Sequence, residues 1–252
     1  MPDWLGLRNQ RVLVAGGAGT LGAAIVTGFI DAGATVGVLD LDRDGIERLD
    51  IELGGRLAAK VATDLGDGES CREAVSLAHD QLDGIDVAVH CVGINDRKPI
   101  ADYADADWEA ILATNLSSAF WLTQAVAPSM RQQGEGRLIF ISSVAGRSGH
   151  RNHAPYAATK GGINQLMRVA AHEFAEDGVT VNAVAPGYMR TALTQSYLAA
   201  DESREQALID LIPARRFGRL EEVVGPVLFL ASRQASFIHG QVLYVDGGRS
   251  VI

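Results

Sequence analysis

The sequence predicts a doubly wound α/β fold: a parallel sheet of about seven strands with helices on both faces, in a single domain. Three observations lead there. Short β-rich runs alternate with longer helical patterns along all 252 residues. Several of those runs are apolar at consecutive positions, the pattern of strands covered on both faces. No stretch has the composition of a linker, a repeat or a low-complexity segment.

In chain order, the first strand is Arg11–Gly16 (RVLVAG), followed by a helix over Leu21–Ala32. Ala34–Asp40 (ATVGVLD) is the second strand and Arg56–Thr63 a weaker third, before a helix over Gly68–Leu82. Ile85–Cys91 (IDVAVHC), Arg137–Ser143 (RLIFISS), Val179–Ala185 (VTVNAVA) and Gln241–Asp246 (QVLYVD) are the remaining strands. Helices are expected between them over Asp107–Gln133, Tyr156–Asp177 and Leu220–Ser232. Such an alternation needs right-handed crossovers, and ligands then bind beyond the carboxyl ends of the strands where the strand order reverses. Tyr188–Arg216 is long for a plain connection and follows Pro186-Gly187, so it is expected to form a helical lid.

The chain carries 22 Lys+Arg against 31 Asp+Glu, a net charge of −9. That balance offers no footprint for nucleic acid or another polyanion. Its 47% hydrophobic content supports a sizeable core. Two cysteines, Cys71 and Cys91, make no disulfide framework and point to a reducing cytoplasm. Neither a secretion leader nor an apolar run of the roughly 18 residues that a membrane helix needs is evident. No Cys/His grouping has metal-ligand spacing, so no metal is expected.

Strand one runs directly into Ala15-Gly16-Gly17-Ala18-Gly19-Thr20-Leu21-Gly22. Gly17-x-Gly19-x-x-Gly22 fits the dinucleotide fingerprint of a Rossmann fold, where bare backbone approaches a pyrophosphate at a helix N-terminus. Asp40 ends the second strand candidate; a carboxylate there accepts from ribose hydroxyls and repels a 2′-phosphate, favouring NAD over NADP. The plainer reading makes Asp40, Asp42 and Asp44 a solvated turn. Asp64 either faces the adenine or caps the following helix.

The chain has three lysines (Lys60, Lys98, Lys160) and five tyrosines, so a Tyr-x-x-x-Lys pair is expected by chance about 0.06 times. One occurs, Tyr156-Ala157-Ala158-Thr159-Lys160, at the head of a helix. Residues four apart share a helix face, and an adjacent ammonium favours the phenolate, turning a poor base into a useful one. Ser143, at the end of a buried strand, is placed to hydrogen-bond a substrate oxygen.

Taken together, these motifs resemble the short-chain dehydrogenase/reductase family over nearly the whole chain. The resemblance rests on the glycine loop, Asp64, Thr114-Asn115-Leu116, Ile141-Ser142-Ser143, Tyr156-x-x-x-Lys160, Asn182–Gly187 with Thr191, and Gly240–Gly248. It implies that Tyr156 is the general acid/base, that Lys160 lowers its pKa and holds the nicotinamide ribose, and that Ser143 polarises the reacting oxygen. Asn115 would hold a water linking Lys160 to solvent. Gly16, Gly19, Thr20, Leu21, Gly22 and Gly93 would line the dinucleotide site, with Pro186, Gly187, Met189 and Thr191 at its nicotinamide end. The family also implies a homotetramer. Two departures stand out: Ala15 and Thr20 replace the usual Thr and middle Gly of the loop, and His90-Cys91-Val92 replaces Asn-Asn-Ala before Gly93.

The wording around Gly93–Pro99, Ala185–Thr191 and Ile212–Gly218 resembles the family's gluconate 5-dehydrogenase and deoxygluconate dehydrogenase group. That implies hydride transfer to or from a secondary alcohol of a sugar acid or polyol, a small-molecule substrate. Asn95, Arg97, His150 and Tyr188 are the candidate substrate residues, Arg97 as a bidentate partner for a carboxylate. Lys98 and His153 lie in the same loops, and the plainer reading leaves Arg97 and Lys98 as solvated charges. The enzymatic alternative is reduction of 3-oxoacyl thioesters on an acyl carrier protein; the non-enzymatic one is an NAD-binding regulatory module.

Overall fold

The computed structural model describes residues 3–191 and 203–251. Seven strands form one all-parallel sheet: β1 (Arg11–Ala15), β2 (Thr35–Asp40), β3 (Leu57–Ala62), β4 (Val87–His90), β5 (Gly136–Ile141), β6 (Val179–Pro186) and β7 (Val242–Val245). Their order is β3-β2-β1-β4-β5-β6-β7, so the chain winds outward from β1 to β3 and then restarts on the other side at β4. The reversal falls between β1 and β4, which opens a crevice beyond their carboxyl ends.

The runs of consecutive apolar residues are explained by the two cores they feed. Val12, Val14, Val36, Val38, Val87 and Val89 face one layer, packed by Ile25, Val26 and Phe29 of α1 (Thr20–Asp31), Ile46 and Leu49 of α2 (Arg43–Glu52), and Val223 and Val227 near the C-terminus. Their neighbours Leu13, Ala15, Leu39, Ala88, Leu138 and Phe140 face the other layer, formed by α3 (Gly68–Leu82), α5 (Ser118–Gln133) and α6 (Ala154–Phe174). A residue period of two on a sheet buried on both faces gives apolar side chains at every position.

Three elements differ from the sequence expectation. Helix α2 was not expected, because its polar Asp-rich start conceals a cap: the Asp42 carboxylate accepts from Gly45 N at 2.9 Å. The long helix expected over Asp107–Gln133 is α4 (Asp105–Leu112), a π-turn at Ala113–Ser117, and then α5. Within the expected lid, the described residues after the gap form α7 (Ser203–Asp210) and a turn leading to α8 (Glu221–Ala231); 192–202 lie outside the described residues. Among the described residues, no helix is long and apolar enough to cross a membrane.

Candidate active site

The glycine loop leaves β1 and is shaped by what a side chain would strike. Gly16 has φ +79° and donates its N–H to Leu39 O at 2.7 Å. A Cβ on it would sit 2.9 Å from the Cys91 backbone on β4's exit, and a Cβ on Gly22 would lie 2.0 Å from Gly16 O. Gly19 is different: its nearest neighbour would be 3.6 Å away. The tight positions of the fingerprint are therefore Gly16, Gly17 and Gly22. Helix α1 begins at Thr20 with Gly19 as a cap that offers no side-chain acceptor, and no acidic residue occupies its first turn. Exposed amides at a helix N-terminus beside a bare backbone cradle fit a pyrophosphate. Thr20 is exposed on that first turn, so its branched side chain does not crowd the loop.

Asp40 ends β2 beside this loop. Its carboxylate accepts from Ala18 N at 2.9 Å and Asp42 N at 3.1 Å, which fastens the glycine loop to the second strand. Asp64 is exposed after β3, turned back onto Gly66 N at 2.8 Å. Neither Asp40 nor Asp64 is part of the inner wall of the crevice.

The inner wall closes a cleft of about 1240 Å³, counted with its open mouth. It gathers the predicted Gly16, Gly19, Thr20, Leu21, Gly22, Gly93, Asn95, Arg97, Ser143, His150, Tyr156, Lys160, Pro186, Gly187, Tyr188, Met189 and Thr191. Cys91, Val92, Ser142 and Ala145 join them, unforeseen because nothing in their side-chain chemistry marks them out.

Helix α6 is held against β5 so that its first turns face the cleft. Ser142 Oγ donates to Asn164 Oδ1 at 2.6 Å, and Asn164 Nδ2 donates to Gly146 O at 3.3 Å. Gly146 lies so near α6 that a Cβ would be 2.8 Å from the Lys160 backbone. This bracing fixes Ser143, Tyr156 and Lys160 together. Lys160, 4% exposed, donates from Nζ to Ile141 O at 2.8 Å and lies 5.6 Å from the Tyr156 ring centre. Burial pushes its ammonium down to about 8. Burial also raises the Tyr156 phenol, opposed by the Ser143 hydroxyl hydrogen bond and the Arg97 guanidinium. The Lys160 ammonium thus stands beside the Tyr156 ring while it donates to the Ile141 carbonyl.

Asn115, fully buried, sits in the π-turn. Its Oδ1 accepts from Ile94 N at 2.8 Å while its Nδ2 donates to Ile94 O at 2.9 Å and Thr159 Oγ1 at 3.2 Å. The amide so fastens the loop carrying Asn95 and Arg97 to α6. Gly93 is flanked by both groups; a Cβ there would lie 3.5 Å from Lys160 Nζ and 3.6 Å from Asn115 Oδ1.

At the substrate end, Lys98 is taken by Asp107 at 2.7 Å and Asp96 at 2.8 Å, an ion-paired rather than a freely solvated charge. Arg97 faces the cleft instead. Rings run outward from the phenol: Tyr156 to His153 (6.2 Å), His153 to His150 (5.9 Å), His150 to Tyr188 (6.4 Å). Burial and neighbouring cations keep both histidines below their ordinary pKa. Among the described residues, no Asp or Glu stands in the wall, although acidic residues outnumber basic ones in the chain. Among the described residues there is no metal-ligating cluster.

His90 is the last residue of β4 and is fully buried. Ser118 Oγ donates to Thr114 O and lies 2.8 Å from His90 Nε2. Since the hydroxyl has one proton, Nε2 is the donor, and Nδ1 is left buried without a partner.

A bare-backbone pyrophosphate cradle at the switch point, next to a Ser/Tyr/Lys cluster, defines a dinucleotide-dependent oxidoreductase. A family model described as enoyl-(acyl carrier protein) reductase matches residues 16–250. The chain is 33% identical to gluconate 5-dehydrogenase of Gluconobacter oxydans, covering 99% of this chain and 98% of that one. It is 35% identical to a 3-oxoacyl-[acyl-carrier-protein] reductase of Thermotoga maritima over 96% and 98% of the two chains. The crystal structure of a gluconate 5-dehydrogenase from Burkholderia cenocepacia in complex with NADP and tartrate superposes with a TM-score of 0.93 at 31% identity, covering 99% and 98%. The chain belongs to the short-chain dehydrogenase/reductase family. It is an oxidoreductase that uses a nicotinamide dinucleotide and acts on the CH–OH group of a small molecule.

Proposed function

We propose that the protein oxidises a secondary hydroxyl of a polyhydroxy acid, with NAD as the preferred cofactor. The observation that carries this is a cleft wall with no Asp or Glu among the described residues, where the Arg97 guanidinium acts on the reactive phenol in a chain of net charge −9. Such a site attracts an anionic substrate. The Burkholderia relative with tartrate, a dihydroxy acid, supports the same class. Asp40 favours NAD, since its carboxylate opposes a 2′-phosphate; the same relative holds NADP, so the discrimination has to come from this chain's own Asp40.

In this reading Ser143 Oγ donates to the substrate oxygen and fixes the carbinol beside Tyr156. The phenolate oxygen of Tyr156 takes the hydroxyl proton. Lys160, charged below a pKa of about 8, holds the cofactor ribose and steadies the phenolate. Asn115 keeps the Arg97 loop against α6. When bound, the dinucleotide supplies the hydride acceptor. Pro186, Gly187, Met189 and Thr191 hold its nicotinamide end. Exposed Trp108, Phe120 and Val169 on α4, α5 and α6, with Phe237 and Leu243 near β7, support a homotetramer.

The test is a purified-protein screen of aldonates, polyols and 3-oxoacyl thioesters with NAD(H) and NADP(H). Aldonate oxidation with NAD is expected, and Tyr156→Phe should lower turnover about 10²–10⁴-fold while NADH binding persists. The Thermotoga relative favours 3-oxoacyl reduction as a second reading. Robust NADPH-dependent thioester reduction with no hydroxy-acid turnover would establish it instead.

A further inference from the structure

Two buried polar atoms of residues lining the cleft have no hydrogen-bond partner among the described residues: Asn95 Oδ1 and His150 Nε2. Buried polar groups are ordinarily satisfied, so orphans on one wall mark where a polar ligand sits. Between His150 and the reactive phenol stands His153, which lines the same cleft. Its ring centre is 5.9 Å from that of His150 and 6.2 Å from that of Tyr156.

The backbone fixes what His153 can do. The residue caps the start of α6, and its Nδ1 lies 2.7 Å from Arg151 O. A carbonyl oxygen only accepts, so Nδ1 carries the proton and the neutral ring keeps its lone pair on Nε2. Burial and the Arg97 guanidinium hold the imidazole below its ordinary pKa of 6.5, so the neutral form prevails at neutral pH. His153 therefore presents an uncharged acceptor to the cleft, one ring step beyond the phenol.

We propose that His153 is a specificity residue whose Nε2 accepts a hydrogen bond from the hydroxyl on the carbon next to the one oxidised, so that the protein reads a vicinal diol rather than a lone alcohol. Ser143 and Tyr156 act on the reacting carbinol, and the neighbouring ring meets the next carbon of the chain. Asn95 Oδ1, an amide oxygen that can only accept, takes a further hydroxyl of the same chain. A substrate without the adjacent hydroxyl leaves an acceptor unpaired in a desolvated cleft, which is how a site built to bond a hydroxyl rejects the analogue lacking it. A 3-oxoacyl chain has only methylene groups beside its reacting carbon and offers neither acceptor a donor. This rests on the hydroxy-acid reading above and names the part of the substrate that is recognised within it.

The experiment measures kcat/KM for gluconate in wild type, His153→Phe and His153→Gln, after an NMR spectrum of the product has located the oxidised carbon. Each protein is also given the deoxygluconates that lack a hydroxyl next to that carbon. Wild type should prefer gluconate to one of these analogues about tenfold or more. His153→Phe keeps an aromatic ring and removes the acceptor, so gluconate should fall to the level of that analogue while the analogue itself changes by less than about threefold. His153→Gln restores an accepting oxygen and should recover part of the preference, and NADH affinity should be the same in all three. A wild-type preference below about threefold against every such analogue overturns the proposal before any variant is made. Equal loss for gluconate and analogue in His153→Phe marks the ring as packing for Tyr156 and overturns it too, with the hydroxy-acid reading intact. If wild type oxidises no aldonate, that reading falls and takes this assignment with it.

Discussion

Replacing His90 by Asn should make the protein more resistant to acid. His90 is fully enclosed, its Nδ1 has no partner, and the like-signed ammonium of Lys160 acts on it. Burial and that ammonium lower its pKa from 6.5 to about 3. Between those values the unfolded chain binds a proton that the native chain refuses, so stability falls as pH drops through the window and is fully present above about 6.5. Each unit costs about 1.4 kcal/mol, which makes the loss about 3 kcal/mol at pH 4.5. That is a large share of the roughly 5–15 kcal/mol that holds a typical domain together. Asn at this position keeps a partner for Ser118 and has nothing to titrate. Urea unfolding at pH 7.5 and 4.5, at one fixed protein concentration, gives the comparison. Carboxylates elsewhere destabilise both proteins alike, so the difference between wild type and His90→Asn isolates the imidazole. Equal losses in the two proteins would refute the argument.

Other expectations concern the cofactor cradle. Gly22→Ala places a methyl 2.0 Å from Gly16 O, so it should abolish NADH binding in a fluorescence titration and destabilise the protein by about 3 kcal/mol. Gly19→Ala, with its nearest contact at 3.6 Å, should do neither; similar losses in both variants would count against the assigned loop geometry. Asp40→Ala removes both the ribose acceptor and the anchor of Ala18 N, so the NAD/NADP ratio of kcat/KM should fall about tenfold or more, with weaker NAD binding. An unchanged ratio would show that Asp40 does not set the preference.

The doubly wound sheet was legible because local chemistry writes it plainly. Consecutive apolar residues such as Val12–Ala15 and Leu138–Ile141 mark strands buried on both faces, and the glycine loop marks where the first one ends. Tyr156 and Lys160 could be paired from spacing alone, since a helix puts residues four apart on one face. Helix α2 was missed because Asp42 looks like one more solvated carboxylate until its bond to Gly45 N is seen.

What the linear chain determined was the list of elements and the chemical groups held in their own turns, because periodicity and glycine conformations are local properties. Only the tertiary structure decided what those groups meet. It turned the Lys160 ammonium to Ile141 O, made Arg97 rather than Lys98 the cation at the phenol, and buried His90 completely. Burial and charge act through space, and the distances they depend on exist only once the sheet has reversed its order between β1 and β4.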